Sequence, residues 1–163
     1  MKVLKFGGTS VGSASSIKTV ADIVASYHRN QVQCAVVVSA MSGVTDRLIA
    51  LSQQAAVGDE AYLDALKELE KHHFDAARDL ISVHAQSRVF AFLKTLFNEL
   101  DDLLHGTFLL RERSARTLDL VLSFGERLSA YLISQYMKEL GIDTQFLDAR
   151  KVIRTDADFN AAK

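Results

Sequence analysis

Three short segments of this chain combine residue types that handle phosphates and small polar acids. The first is Lys5-Phe6-Gly7-Gly8-Thr9-Ser10. Its lysine offers a point charge to an anion, and the two glycines let bare backbone approach a ligand. A helix starting a few residues later turns its first N–H groups and the positive end of its dipole toward the same place. Together these suit a phosphate. The arrangement is not a P-loop, which needs Gly-x-x-x-x-Gly-Lys-[Ser/Thr]. Gly7 and Gly12 have that spacing, but Ser13 stands where the lysine belongs and Lys5 precedes the glycines. A tight strand-to-helix turn, with a lysine that snorkels to the surface, fits the same letters.

The second segment is Val38 to Asp46, VSAMSGVTD. Hydroxyls at Ser39, Ser42 and Thr45 follow a valine-rich run, beyond the carboxyl end of a predicted strand, where open α/β sheets bind ligands. They suit a small polar acid, or they cap the next helix. The third is Ser123 to Ser129, SFGERLS. Glu126 follows a glycine in an otherwise apolar helical stretch. Its carboxylate can receive an ammonium group, or it pairs with Arg127 or an exposed neighbour.

The elements that must position these segments follow from periodicity. Lys2–Phe6 and Gln33–Ala40 are near-continuous apolar runs, as in parallel strands buried on both faces. Between them Ile17, Val20, Val24 and Tyr27 have helical spacing, with N-cap candidates at Ser13, Ser15 and Ser16. A second helix runs through Leu48, Leu51 and Ala55 to Gly58. Strand, helix, strand, helix argues for a parallel α/β sheet with right-handed crossovers. Two long amphipathic helices come next, Asp59 to about Ser82, with Leu63, Leu66, Leu69, Phe74, Ala77 and Leu80 as its apolar stripe, and about Ala85 to Leu110, in the pattern of an antiparallel hairpin. Their charges lie between the apolar positions and form a solvated face. Thr117 to Leu140 is helical again, with an interruption expected near Phe124-Gly125 and Gly141 just past its end. Thr144–Leu147 is expected to be a third strand, and Arg154 to Lys163 is polar and patternless.

Composition removes several function classes. A net charge of −1 speaks against nucleic acid, whose binders carry a basic surplus. One cysteine, Cys34, permits no internal disulfide and fits a reducing cytoplasm; it reads as a small core residue. No apolar run approaches the ~20 residues of a membrane span, and Met1 leads straight into the first strand, with no signal peptide expected. His72 and His73 are adjacent, so a helix points them about 100° apart, and His28, His84 and His105 lack ligand spacing; no metal site is expected among the histidines. The 163 residues suffice for one structural unit with a sizeable core.

Taken together, KFGGTSV (Lys5–Val11), VSAMSGVTD (Val38–Asp46) and SFGERLS (Ser123–Ser129) resemble, in order and separation, the three N-terminal signatures of the aspartate kinase family. FLDARKVIRTD (Phe146–Asp156) resembles the stretch after the third. The resemblance spans essentially the whole chain. It implies a three-layer α/β/α amino-acid-kinase-like parallel sheet, of which residues 1–163 form the N-terminal lobe, with the helical hairpin inserted. The family's nucleotide half and its regulatory ACT domains are expected beyond Lys163. The implied activity is ATP-dependent phosphorylation of the L-aspartate side-chain carboxylate, the first step toward lysine, threonine and methionine, with ATP and Mg²⁺ required. Position by position, it assigns Lys5, Phe6, Gly7, Gly8, Thr9 and Ser10 to the nucleotide phosphates, Lys5 being catalytic. Ser39 and Thr45 are assigned to the amino-acid substrate, and Glu126 to its α-ammonium. An isolated lobe is expected to be inactive and to self-associate through its cut sheet. A non-catalytic anion-binding module, or another amino-acid kinase such as a glutamate 5-kinase, stands as the alternative.

Overall fold

The computed structural model describes residues 1–159 and residue 161; the last part of the polar tail, at Asn160, Ala162 and Lys163, lies outside the described residues. The chain runs β1 (Lys2–Phe6), α1 (Ala14–Arg29), β2 (Cys34–Val38), α2 (Val44–Val57), α3 (Ala61–Leu80), α4 (Val83–Leu110) and α5 (Ala115–Glu139). One 3-10 turn, Gly8–Val11, joins β1 to α1. β1 and β2 pair in parallel, Lys2 opposite Cys34 and Phe6 opposite Val38. The architecture is α/β, a small parallel sheet with five helices.

Local chemistry sets the ends of these helices. Ser13 caps α1, its hydroxyl accepting from the Ser16 N–H at 3.2 Å. Gly58 and Gly141 stand just past α2 and α5 with φ of 73° and 75°, left-handed values at which a side chain is strained. Only Ile81 and Ser82 separate α3 from α4, and the two pack on each other as a hairpin. The hairpin packs in turn on α2 and α5. Leu48, Leu51, Leu69, Leu93, Leu100, Leu104 and Leu128 are fully buried where these helices meet. At ~1.5–3 kcal/mol for each buried leucine, this bundle dominates stability. The Asp64–Lys67 and Lys71–Asp75 pairs on the exposed face of α3 add little. Among the described residues no helix is long and apolar enough to cross a membrane.

Four expectations need correction. Burial along both strands alternates: Leu4, Phe6, Val36 and Val38 meet the helices, while Val3, Lys5, Ala35 and Val37 face outward on an uncovered side. Second, Thr144–Leu147 is not a strand. Side chains hold this segment, through the Thr144 hydroxyl donating to the Ser134 carbonyl at 3.0 Å and the Phe146 ring edge-on to Tyr131. A cleft of about 360 Å³ parts it from β2, so no ladder forms. Third, α5 runs unbroken through Phe124-Gly125. Fourth, Leu63, placed on the apolar stripe of α3, is 40% exposed.

Candidate active site

The three motifs, far apart in sequence, meet around a single residue, Ala40. The second motif carries it in the loop after β2, and the first and third approach it from the turn after β1 and from α5. A Cβ placed on Gly8 would lie 3.1 Å from the Ala40 carbonyl oxygen. A Cβ on Gly125 would lie 2.7 Å from the Ala40 Cβ, so only glycine lets α5 come this close to the loop after β2. The Ala40 N–H donates to Glu126 Oε1 at 3.3 Å. One residue along, a Cβ on Gly12 would lie 2.8 Å from the Ser42 Cβ. Two of these glycines thus serve close packing of one motif on another as much as approach to a ligand.

The first motif leaves β1 at Phe6, whose carbonyl accepts from the Ser39 N–H at 3.1 Å and carries the parallel ladder one residue past the strands. Lys5 sits one residue from the strand end, opposite Val37 on the uncovered face. The cost of burying a lysine therefore does not arise. Its ammonium has no ion pair or hydrogen bond among the described residues. Gly7 enters the 3-10 turn in extended conformation, and the Ser10 N–H donates back to the Gly7 carbonyl at 3.0 Å. Thr9 and Ser10 are exposed beside it. The Ser13 hydroxyl caps the first turn of α1 by accepting from the Ser16 N–H.

In the second motif Ala40 and Met41 are buried, and Gly43 turns the chain with φ 75° before α2 begins. The N-cap of α2 is Gly43, with no side-chain capping bond. Ser42 and Thr45 are therefore not caps. The hydroxyls of Ser39, Ser42 and Thr45 make no hydrogen bond among the described residues, and Ser42 and Thr45 are exposed.

In the third motif Arg127 does not pair with Glu126. Its guanidinium lies 4.4 Å from the Phe124 ring centroid and reaches Glu99 at 2.9 Å and Asp148 at 3.5 Å. Asp148 also takes Arg150, which, ahead of Arg127, holds its carboxyl below the usual range. This network ties α5 to α4 and to the segment after residue 147, and leaves the Glu126 carboxylate exposed with Ala40 as its neighbour. The fully buried Ser129 hydroxyl lies 2.7 Å from the Ser39 carbonyl and 3.1 Å from that of Glu126.

Sequence reasoning named Glu126 and Ser39 but missed what joins them: Ala40, Gly125 as a packing residue, and Ser129. Only the position of Ser129 within SFGERLS hinted at it. A cleft of about 510 Å³, lined by Glu126, Arg127, Val36–Val38 and the 146–150 stretch, opens beside Glu126. Lys5, the glycine turn and Thr45 lie outside it, on open surface. No three of His, Cys, Asp and Glu come together among the described residues as a metal site.

Comparison with known proteins places the chain among aspartokinase relatives. The chain is 37% identical to the aspartokinase of Schizosaccharomyces pombe over 161 residues, covering 93% of this chain and 30% of that protein. It is 34% identical to the chloroplastic bifunctional aspartokinase/homoserine dehydrogenase 2 of Arabidopsis thaliana, covering 93% of this chain and 16% of the relative. It superposes on Escherichia coli aspartokinase III, solved with lysine and aspartate, at a TM-score of 0.86 and 30% identity, over all of this chain and 34% of that one. A second structure of the same enzyme, with aspartate and ADP, matches equally well at 29% identity. The chain thus spans about a third of the length of these relatives, or less. The profile of the amino acid kinase family matches residues 1–162, and with the three motifs gathered on one parallel sheet the chain belongs to that family.

Proposed function

We propose that this chain is the N-terminal lobe of an aspartate kinase, which moves the γ-phosphoryl group of ATP onto the side-chain carboxylate of L-aspartate to give 4-phospho-L-aspartate. The observation that carries the reading is the convergence on Ala40. Through it the glycine turn after Lys5 and the Glu126 carboxylate meet the loop that carries Ser39, and the hydroxyls of Ser39 and Thr45 and the Lys5 ammonium are unengaged. An amino acid needs such a set at one end and a nucleotide's phosphates at the other.

The chemistry asks for little else. The attacking carboxylate titrates near ~3.9 and is ionised at neutral pH, so no general base is needed. The obstacle is bringing one anion up to another, and what overcomes it is positioning and neutralised charge. Lys5, with the backbone at Phe6, Gly7 and Gly8, neutralises and holds phosphate oxygens; Thr9 and Ser10 stand beside them. Glu126 takes the α-ammonium, and Ser39 and Thr45 orient the rest of the amino acid. Mg²⁺ accompanies the nucleotide, with no step assigned to it on this lobe. The uncovered sheet face, with Val3 and Val37 exposed, is the surface on which the remainder of the kinase domain packs; in its absence a second copy covers it. We place the enzyme in the cytoplasm, although relatives in plants are chloroplastic.

The test is an ATP-dependent aspartyl-hydroxamate assay on the full-length protein. Lys5→Ala and Glu126→Ala are each expected to lower kcat/KM by about 100-fold or more, in line with the loss of a charge that stabilises a transition state. The 163-residue chain alone is expected to be silent. Full activity in either variant, or turnover by the isolated chain, refutes the assignment.

A further inference from the structure

We propose that Ser129 is a positioning residue of the amino-acid pocket, fixing the separation between the Ser39 hydroxyl and the Glu126 carboxylate. This rests on the aspartate kinase reading.

Ser39 and Glu126 come from different elements, the loop after β2 and the middle of α5. Three contacts hold those elements in register. Gly125 against Ala40 sets how closely they approach, but a steric contact does not fix a peptide's rotation. The Ala40 N–H bond to Glu126 uses the same carboxylate that receives the ligand, so it is shared when an ammonium binds. The Ser129 bond comes from a side chain with no exposed surface, uses no ligand-facing group and grips the backbone of Ser39 itself.

The hydroxyl's choice of partner supports this role. A serine inside a helix ordinarily donates to a carbonyl of its own preceding turn. Ser134, on the same helix and also buried, does so, to the Tyr131 carbonyl at 2.7 Å. Ser129 has the equivalent acceptor in the Glu126 carbonyl, but at 3.1 Å, and lies nearer the Ser39 carbonyl at 2.7 Å. Its single proton therefore goes across to the loop. Without it the Ser39 carbonyl loses a buried donor, and the Ser39 peptide is free to turn its side chain relative to Glu126.

The experiment compares full-length wild type with Ser129→Ala, Ser129→Cys and Ser134→Ala, measuring KM for aspartate and for ATP, kcat, and thermal melts. Ser129→Ala is expected to raise the aspartate KM about tenfold, the effect of one lost buried hydrogen bond, with the ATP KM changed less than about twofold. Ser129→Cys keeps a side chain of similar shape with a weaker donor, so it is expected to fall between the two and serves if the alanine variant does not fold. Ser134→Ala is expected to lower the melting temperature without moving either KM. An unchanged aspartate KM in a folded Ser129 variant overturns the proposal, as does an equal rise in both KM values. Absence of aspartate kinase activity in wild type instead removes the reading beneath it, and is seen before any variant is compared.

Discussion

His73 should make this fold less stable as the pH falls. The imidazole sits inside the α3–α4 hairpin with no exposed surface, edge-on to Phe97 with ring centroids 5.5 Å apart. Nδ1 lies 2.9 Å from the Leu69 carbonyl and donates to it, while Nε2 is buried with no partner. A proton on Nε2 would place an uncompensated charge in apolar packing. Burial therefore pushes the pKa down from 6.5 to about 4, with His72 and Arg47 nearby adding to the effect. The unfolded chain binds this proton near pH 6.5 and the folded chain only near pH 4. Stability is thus complete above the upper value and falls as the pH drops between the two. The whole gap corresponds to roughly 3 kcal/mol, of which about 2 kcal/mol is lost between pH 7.5 and pH 5. Domains are stable by only ~5–15 kcal/mol, so the loss is measurable. The assay is urea denaturation of wild type and His73→Leu at both pH values. Leucine approximates the volume and removes the titration, and the difference between the two proteins should change by about 2 kcal/mol between the two pH values. Carboxylates held low by arginine or lysine, such as Asp148, also lose stability in acid, but they are common to both proteins and cancel. Parallel pH profiles would refute the argument and mean that the imidazole is solvated or partnered when protonated.

Gly125→Ala should push α5 away from Ala40, costing about 1–3 kcal/mol in denaturation and raising the aspartate KM through the displaced Glu126. Ser13→Ala removes the cap of α1 and should cost ~1 kcal/mol in the same assay, with no effect on aspartate binding. Lys5→Ala, by contrast, should leave stability within ~0.5 kcal/mol, because the ammonium is exposed and unpaired, so its loss of activity is read as chemistry rather than unfolding.

Helices were legible because their signals are local. A stripe at 3.6-residue spacing and a serine or glycine at each end are written in consecutive residues, and α1, α2, α3 and α4 lie within a few residues of the expected spans. The strands were found but their surroundings were not. Val-rich runs look alike whether one face or both are covered, and β2 is half-buried at alternate residues only. The missing third strand has the same origin. Thr144–Leu147 has strand-forming residues, but strand formation depends on a partner backbone, and here the Thr144 and Phe146 side chains commit the segment to α5 instead.

The site divides along the same line. Residue types proposed to meet a ligand, such as Lys5, Thr45 and Glu126, could be named from the letters, because chemistry restricts which side chains carry a charge or a hydroxyl. Residues that hold them in place could not. Gly125 read as a helix interruption because glycine is a poor helix former. Its reason for being there is Ala40, 85 positions earlier, whose Cβ leaves no room for another. Ala40 itself is the least informative letter in its motif, yet its carbonyl meets the first signature and its N–H and methyl both meet the third. A methyl group and two backbone atoms offer a sequence reader no chemistry. They are nonetheless what turns three separate motifs into one site, and a larger side chain at position 40 would be felt by all three at once.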